Sequence, residues 1–317
     1  MERTDGRSRM HVHADFEADD LARRKCDRGL TASVVIPALN EERTVAAVAG
    51  TLKRTLLDEV GLLDEVLVVD ADSTDGTGEA ARGAGARVVR QSEVLPAAGT
   101  APGKGEALWK GLEASSGDLV VFVDADILDI GPRFVTGLLG PLLTDPATLF
   151  TKATYDRPLQ VGDELQASGG GRVTELLARP LIATFWPELS WLAQPLSGEY
   201  AGRRELLESL PFVRGYGIEL AMLVDIADHH GADVIAQVDL GRRVHEHQTL
   251  AALGRMSAEI LHVALDRLAR QGRLVLTDPL AHTLLQPLRD RHGALEMDAH
   301  QVRTSERPSL AEWRQRR

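Results

Sequence analysis

Cysteine is almost missing. Cys26 stands alone in a chain of 317 residues, so no internal disulfide can form, and a reducing cytoplasm fits. An excess of positive charge is missing too. Lys plus Arg number 36 against 47 for Asp plus Glu, a net charge of −11, which argues against a general nucleic-acid binder with a basic footprint. No long run is uniformly apolar: the region from Leu176 to Leu196 comes nearest, and Arg179, Glu188, Pro180, Pro187 and Pro195 interrupt it, so no membrane span is expected. The N-terminal MERTDGRSRMHVHADFEADD has no apolar h-region, so a secretory signal is not expected either. Two nucleotide signatures are absent. No G-x-G-x-x-G follows the first apolar run. Around Lys104 a Walker A loop fails because position 98 is Ala and Lys104 is followed by Gly105. No internal repeat at a fixed period is present.

What is there is alternation of strand and helix patterns. SVVI before Pro37, DEVLVVD before a turn, ARVVRQ and DLVVFVDAD read as four strands, with EERTVAAVAGTL, GTGEAARGAGA and GKGEALWKGLEASS as helices between them. Strands apolar throughout and separated by helices predict an α/β fold with a Rossmann-like, mostly parallel sheet covered on both faces. Residues 1–30 read as a polar arm outside the core, 31–150 as one half, 151–250 as a second half and 251–317 as a C-terminal extension. In the second half TLFTKATYDRPLQ reads as an edge strand, QPLSGEYAGRRELLESLPF as helical, and ADVIAQVDLGRRVHEHQTL as a last strand. LAALGRMSAEILHVALDRLAR is an amphipathic helix with a stripe of Leu253, Met256, Ile260, Val263 and Leu268, and the remainder to Arg317 reads as charged and loop-like.

In parallel sheets ligands bind beyond the carboxyl ends of the strands. Polar residues gather at three such ends: Pro37 to Glu41, Asp70 to Thr74, and Asp124 to Asp126. In VVFVDADILD a buried strand runs into two carboxylates, and burying a carboxylate without a partner is costly. Asp124 and Asp126 are either an acidic turn or a seat for a hard divalent ion such as Mg²⁺ or Mn²⁺ held together with a diphosphate. Asp70, in VVDADSTDGT, belongs to a turn and helix cap or hydrogen-bonds a base or ribose. Lys104, at a helix start where the dipole disfavours a cation, can reach a base or phosphate. GGGRVTE, Gly169 to Glu175, is either an anion site at a helix N-terminus with Arg172 and Thr174 or a flexible glycine loop. The pair His245 and His247 at a strand end offers imidazole to a metal, or is structural.

PALNEE, PGKGEALW, the DAD strand, RPLQ, GGGRVTEL, ARPL, QPLSGEYA, GYGIE, IAQVDLG and VH-H follow one another from about residue 33 to 250. In this order they resemble the glucosyl-3-phosphoglycerate synthases and related mannosyl enzymes, retaining glycosyltransferases of the GT-A fold. The resemblance implies that Pro37, Ala38, Leu39 and Glu41 hold the base and ribose of a nucleoside-diphosphate sugar, with Lys104 on the nucleotide. It implies Asp124 at the ribose or metal shell, Asp126 and His245 as ligands of Mg²⁺ or Mn²⁺, Leu196 near the donor sugar, and Glu219 on sugar hydroxyls. Gly171, Arg172 and Thr174 would grip 3-phosphoglycerate, with Tyr216, Arg243 and His247 nearby. Asp124, Asp126 and Glu219 are thereby the residues of the chemistry. A homodimer is implied by the resemblance and not by the pattern. Two positions depart from the mycobacterial type: Ala125 stands where Ser is expected and His247 where Asn is expected.

Retention then follows either from a covalent intermediate or from attack on the leaving-group face, which the lack of a well-placed nucleophile favours. Glucosyl transfer is the leading expectation and mannosyl transfer from GDP-mannose its alternative. A sugar nucleotidyltransferase would share the acidic rim but needs a glycine-rich phosphate loop, which PALNEE is not. A regulatory nucleotide-binding module would not need both GGGRVTE and an acidic site with His245.

Overall fold

The structure is a computed structural model that describes residues 9–156, 159–161, 164–166, 171–243, 249–289, 293–302 and 304–316. In chain order come β1 (Met10–Val12), α1 (Ala18–Asp27), β2 (Ala32–Ala38), α2 (Val45–Leu52), β3 (Glu65–Asp70), α3 (Thr77–Gly83), β4 (Arg87–Arg90), α4 (Lys104–Ala114) and β5 (Leu119–Phe122). Next are α5 (Arg133–Thr144), β6 (Phe150–Asp156), the antiparallel pair β7 (Leu159–Val161) and β8 (Glu164–Gln166), α6 (Arg179–Phe185), β9 (Tyr200–Arg203), α7 (Arg204–Ser209), β10 (Phe212–Val213) and α8 (Ile218–His230). The chain closes with β11 (Ile235–Arg242), α9 (Leu250–Arg270), β12 (Thr283–Arg289), β13 (Leu295–Gln301), β14 (Glu306–Arg307) and α10 (Leu310–Gln315).

Eight strands form one sheet in the order β1-β11-β6-β9-β5-β2-β3-β4. All neighbours are parallel except β9, which runs antiparallel to both β6 and β5 at the centre. The apolar strand runs work as expected because alternate residues enter two cores. Val34, Ile36 and Val121 pack on one face with α2 and α5, while Val35, Val120 and Phe122 pack on the other with α4 and α8. Each such buried aliphatic contributes about 1.5–3 kcal/mol over its exposed state.

Four readings of the sequence are corrected. The N-terminal arm is not outside the core: β1 is the sheet's edge strand beside β11, Leu21 of α1 is buried, and the Phe16 ring covers Gly140, where an added Cβ would meet it at 2.3 Å. β6 is not an edge strand, since β11 and β9 flank it. Part of QPLSGEYAGRR is the antiparallel strand β9, not helix; the Gly202 and Ala201 that weaken its strand signature sit where neighbours crowd it. The C-terminal remainder is not loop: β12 and β13 pair over seven positions, β14 adds to β10, and α10 packs near α7. Helix α9 matches its stripe, with Ile260, Val263 and Leu268 buried and Leu253 and Met256 packed at the core's margin.

Candidate active site

A cleft of about 740 Å³ opens at the carboxyl ends of the central strands. The end of β2 supplies Pro37, Ala38 and Leu39, followed by Glu41, and the end of β3 supplies Ala71. Lys104 enters from the first turn of α4, Asp124 and Asp126 from the turn after β5, and Arg243 from the residue after β11. The lining also includes Gly171, Arg172 and Thr174, then Leu196, Tyr216 and Glu219, and Met256 and Ile260 of α9. Thus four strand ends and one glycine-led helix, far apart in sequence, share one space.

The glycines of PGKGE have a packing reason. A Cβ on Gly103 would lie 2.1 Å from the Arg214 carbonyl oxygen, and one on Gly105 would lie 1.8 Å from that of Val213. The bare backbone lets the loop before α8 close onto the start of α4. That sets Lys104 beside two carboxylates: its Nζ is 2.6 Å from Asp124 Oδ1 and 3.4 Å from Glu219 Oε1. The cation at a helix N-terminus is thereby accounted for. Burial would lower the Lys104 amine, but Asp124 and Glu219 outweigh it and hold its pKa well above the lysine value.

Arg243 joins the other side of the carboxylate group. Its Nη2 donates to Asp124 Oδ2 at 3.2 Å and Asp126 Oδ1 at 3.1 Å, and lies 3.2 Å from Glu199 Oε1. Nη1 donates to the Tyr155 hydroxyl at 2.8 Å, which itself donates to Glu199 Oε2 at 2.7 Å. Burial raises the Asp124 carboxyl, but Lys104 and Arg243 override it and keep Asp124 ionised far below the usual carboxylate range. Glu199 is raised by its burial, with Arg243 opposing. Glu41 is raised as well, first by burial and then, against its hydrogen bond from Thr44, by the charges of Asp126 and Asp124. The arrangement separates roles: Asp124 is locked between two cations, whereas the Asp126 side chain is 50% exposed to the cleft.

Gly171 adopts φ +86°, a left-handed turn that favours glycine, and helix begins at Arg172. The helix widens to π turns over Thr174–Ala178 before α6, a distortion common at functional sites. Glu175 and Arg179 pair twice at 2.8 Å outside it, bracing the turn. The Tyr216 amide donates to Glu259 Oε2 of α9 at 2.9 Å, fixing the loop that carries Tyr216.

The cleft therefore collects every expected site residue with three exceptions. Asp70 is buried and not among the residues lining the cleft; its Oδ1 accepts from the Ser73 amide at 2.8 Å, as in the turn reading. His245 and His247, like Gly169 and Gly170 of the glycine run, lie outside the described residues. Arg243, expected near the acceptor, lines the cleft and pairs with Asp124 and Asp126. Sequence reasoning passed over Glu199, Tyr155, Gln91, Glu259 and Lys152. Glu199 was hidden because the strand it leads into, β9, was read as helix. Lys152 was hidden because a lysine on an edge strand is ordinary, and only burial of β6 makes it unusual.

Among the described residues no three Asp, Glu, His or Cys side chains group to hold a metal by themselves. One or two carboxylates plus substrate phosphates are the usual protein share of a Mg²⁺ site, and a half-exposed Asp126 beside Asp124 fits that pattern.

Comparison with known proteins agrees with this geometry. The model of glycosyl transferase family 2 matches residues 33–208. The glucosyl-3-phosphoglycerate synthase of Petrotoga mobilis is 47% identical over 277 residues, covering 86% of this chain and 85% of that protein. The crystal structure of mannosyl-3-phosphoglycerate synthase from Rubrobacter xylanophilus superposes with a TM-score of 0.89 at 39% identity, covering 97% of this chain and 98% of that one. Glucosyl-3-phosphoglycerate synthase from Mycobacterium tuberculosis, solved with Mn²⁺, UDP-glucose and phosphoglyceric acid, gives 0.79 at 43% identity, covering 94% and 95%. The chain belongs to glycosyl transferase family 2, with the GT-A fold, and within it to the glucosyl- and mannosyl-3-phosphoglycerate synthases.

Proposed function

We propose that this protein moves a glucosyl group from UDP-glucose to 3-phosphoglycerate with retention at the anomeric carbon. The observation that carries the reading is the meeting of two unlike ends in one cleft: Asp124 and Asp126 at the carboxyl rim, and Arg172 with Thr174 at a helix N-terminus. The base and ribose lie along Pro37, Ala38, Leu39 and Glu41, and Lys104 reaches the nucleotide. Asp126, with His245, would hold a Mg²⁺ or Mn²⁺ ion, whose chemistry is to offset charge on the departing diphosphate. Leu196 borders the sugar and Glu219 takes its hydroxyls. Gly171, Arg172 and Thr174 hold the acceptor's phosphate or carboxylate, the guanidinium by a bidentate fork and the helix end by its amides. Tyr216 and His247 flank the acceptor, and Arg243 reaches it from the carboxylate end.

Held this way, the acceptor hydroxyl oxygen forms the new bond to the anomeric carbon as the bond to diphosphate oxygen breaks. The proton passes to that oxygen on the same face, so no side-chain nucleophile is needed. Orientation of two bound reactants supplies most of the rate, on the order of 7–11 kcal/mol at best. A trapped glycosyl-enzyme adduct would contradict this course.

Two copies pair through the outer face of β12 and β13. There Leu285, Leu295 and Met297 are exposed on one side of a register that sets Leu285 opposite Ala299 and Pro287 opposite Met297. A cytoplasmic setting suits the lone, exposed Cys26.

The test is product formation with 3-phosphoglycerate from UDP-glucose, GDP-glucose and GDP-mannose, with and without Mg²⁺. Metal-dependent glucosyl-3-phosphoglycerate from UDP-glucose is expected. The likeness to the Rubrobacter mannosyl enzyme makes GDP-mannose the informative competitor, and preference for it would replace the donor. Donor hydrolysis with no transfer would reject Arg172 and Thr174 as the acceptor clamp.

A further inference from the structure

Glu199 is a fully buried carboxylate to which the reading of the cleft gives no task. It stands just before β9, and its carbonyl oxygen accepts from the Ala153 amide of β6 at 3.1 Å, so the backbone fixes where the side chain starts. Its two oxygens meet Arg243 as a fork: Oε1 lies 3.2 Å from Nη2, and Oε2 accepts from Nη1 at 3.4 Å. The buried Tyr155 hydroxyl joins the two, accepting from Nη1 at 2.8 Å and donating to Oε2 at 2.7 Å. The Arg243 amide donates to the Asp156 carbonyl at 3.2 Å, so β6 anchors both partners. Glu199, Tyr155 and Arg243 thus form one unit where the adjacent strands β9, β6 and β11 meet the cleft.

Pairing alone does not call for Glu199. Arg243 Nη2 already donates to Asp124 and Asp126, and a third carboxylate taken out of water is costly. The two aspartates differ in what else they meet. Asp124 has Lys104 as a second cation, whereas the half-exposed Asp126 is the carboxylate open to a divalent ion. Once Asp126 turns to such an ion, Arg243 gives up that partner and faces a like charge across the same carboxylate. Glu199 is the anion that stays with it, out of solvent and tied to Tyr155.

We propose that Glu199 is a positioning residue for glycosyl transfer: with Tyr155 it holds the Arg243 guanidinium beside Asp124, which frees Asp126 to take the divalent ion. This rests on the reading that Asp126 holds that ion.

The test is the Mn²⁺ affinity of the full chain with UDP, read from the enhanced water-proton relaxation of protein-bound Mn²⁺, for wild type and two variants. Glu199→Gln should bind Mn²⁺ roughly tenfold more weakly or worse, with a similar loss in kcat, the usual cost of removing an outer partner of a metal site. Without the fork Arg243 keeps to Asp126, and the ion must displace it. Tyr155→Phe changes no charge and removes only the hydroxyl that joins the pair, so it should weaken Mn²⁺ in the same direction, by about threefold or more. Affinity within about twofold of wild type in Glu199→Gln overturns the proposal. So does a loss in Glu199→Gln with none in Tyr155→Phe, the signature of charge acting through space and not of a held guanidinium. Should Glu199→Gln fail to fold, Tyr155→Phe decides alone, and affinity within about twofold of wild type overturns the proposal. A wild type that binds no Mn²⁺ with UDP removes the reading of Asp126 itself, whereas a wild type that binds it beside variants that bind it equally well removes Glu199 alone.

Discussion

Arg243 holds the carboxylate end of the cleft together. One nitrogen of its guanidinium faces Asp124, Asp126 and Glu199, and without it three negative side chains would share a partly dry space. The charges of Asp124 and Asp126 also reach Glu41, which burial already biases toward its protonated form. The sign is simple: a carboxyl whose pKa is raised takes its proton at a higher pH than an ordinary glutamate. If ionised Glu41 holds the ribose, the KM for UDP-glucose rises as pH falls, starting above the range where an ordinary glutamate titrates. Glu41→Gln should flatten that limb, and KM measured across mildly acidic pH checks both statements. At this scale the sequence was most informative where a residue type was out of place. Two aspartates after VVFV, and a lysine at a helix start, each announced a partner. Glu199 and Lys152 gave no such sign, because their meaning depends on which strands lie beside them.

Elements explain why those side chains meet. The four parallel strands of the first half were legible because their apolar runs fill two cores at once. β9 was not, because a four-residue strand, Tyr200–Arg203, with a glycine inside it carries little periodicity, and an antiparallel insertion between β5 and β6 is a non-local fact. The turn leading into β9 matters for activity through a single glycine. A Cβ on Gly198 would stand 2.3 Å from Asp124 Oδ2 and 2.7 Å from Lys104 Nζ, so one or both must move. Gly198→Ala should leave the fold intact and lower kcat on the order of 100-fold, since misplacement near 1 Å can cost that much. Unchanged kcat in a folded variant would show that the Asp124–Lys104 pair tolerates displacement.

On the scale of the whole molecule the C-terminus returns to brace α4. Arg307 of β14 donates to both oxygens of the fully buried Glu106 on α4, at 2.6 Å each, and Trp109 Nε1 donates to the Pro308 carbonyl at 3.0 Å. Removing Arg307 leaves buried Glu106 with the Lys110 amine, 3.6 Å away, as its remaining cation, so Arg307→Met should destabilise by about 3 kcal/mol, the low end for a broken buried pair, read from urea unfolding. This closure was illegible in a charged tail whose partners lie some 200 positions upstream. The proposed pairing of two copies through β12 and β13 predicts that Met297→Glu turns a dimer into a monomer by sedimentation, and a wild-type monomer would contradict it. The central claim is that one cleft holds donor and acceptor at separate ends. Its most direct test follows radiolabelled glucose from UDP-glucose, counting transfer to 3-phosphoglycerate and hydrolysis to free glucose in parallel. Asp126→Asn should lose both, while Arg172→Ala should lose transfer and keep hydrolysis. Equal loss of both activities in Arg172→Ala, or full transfer in Asp126→Asn, would contradict the account.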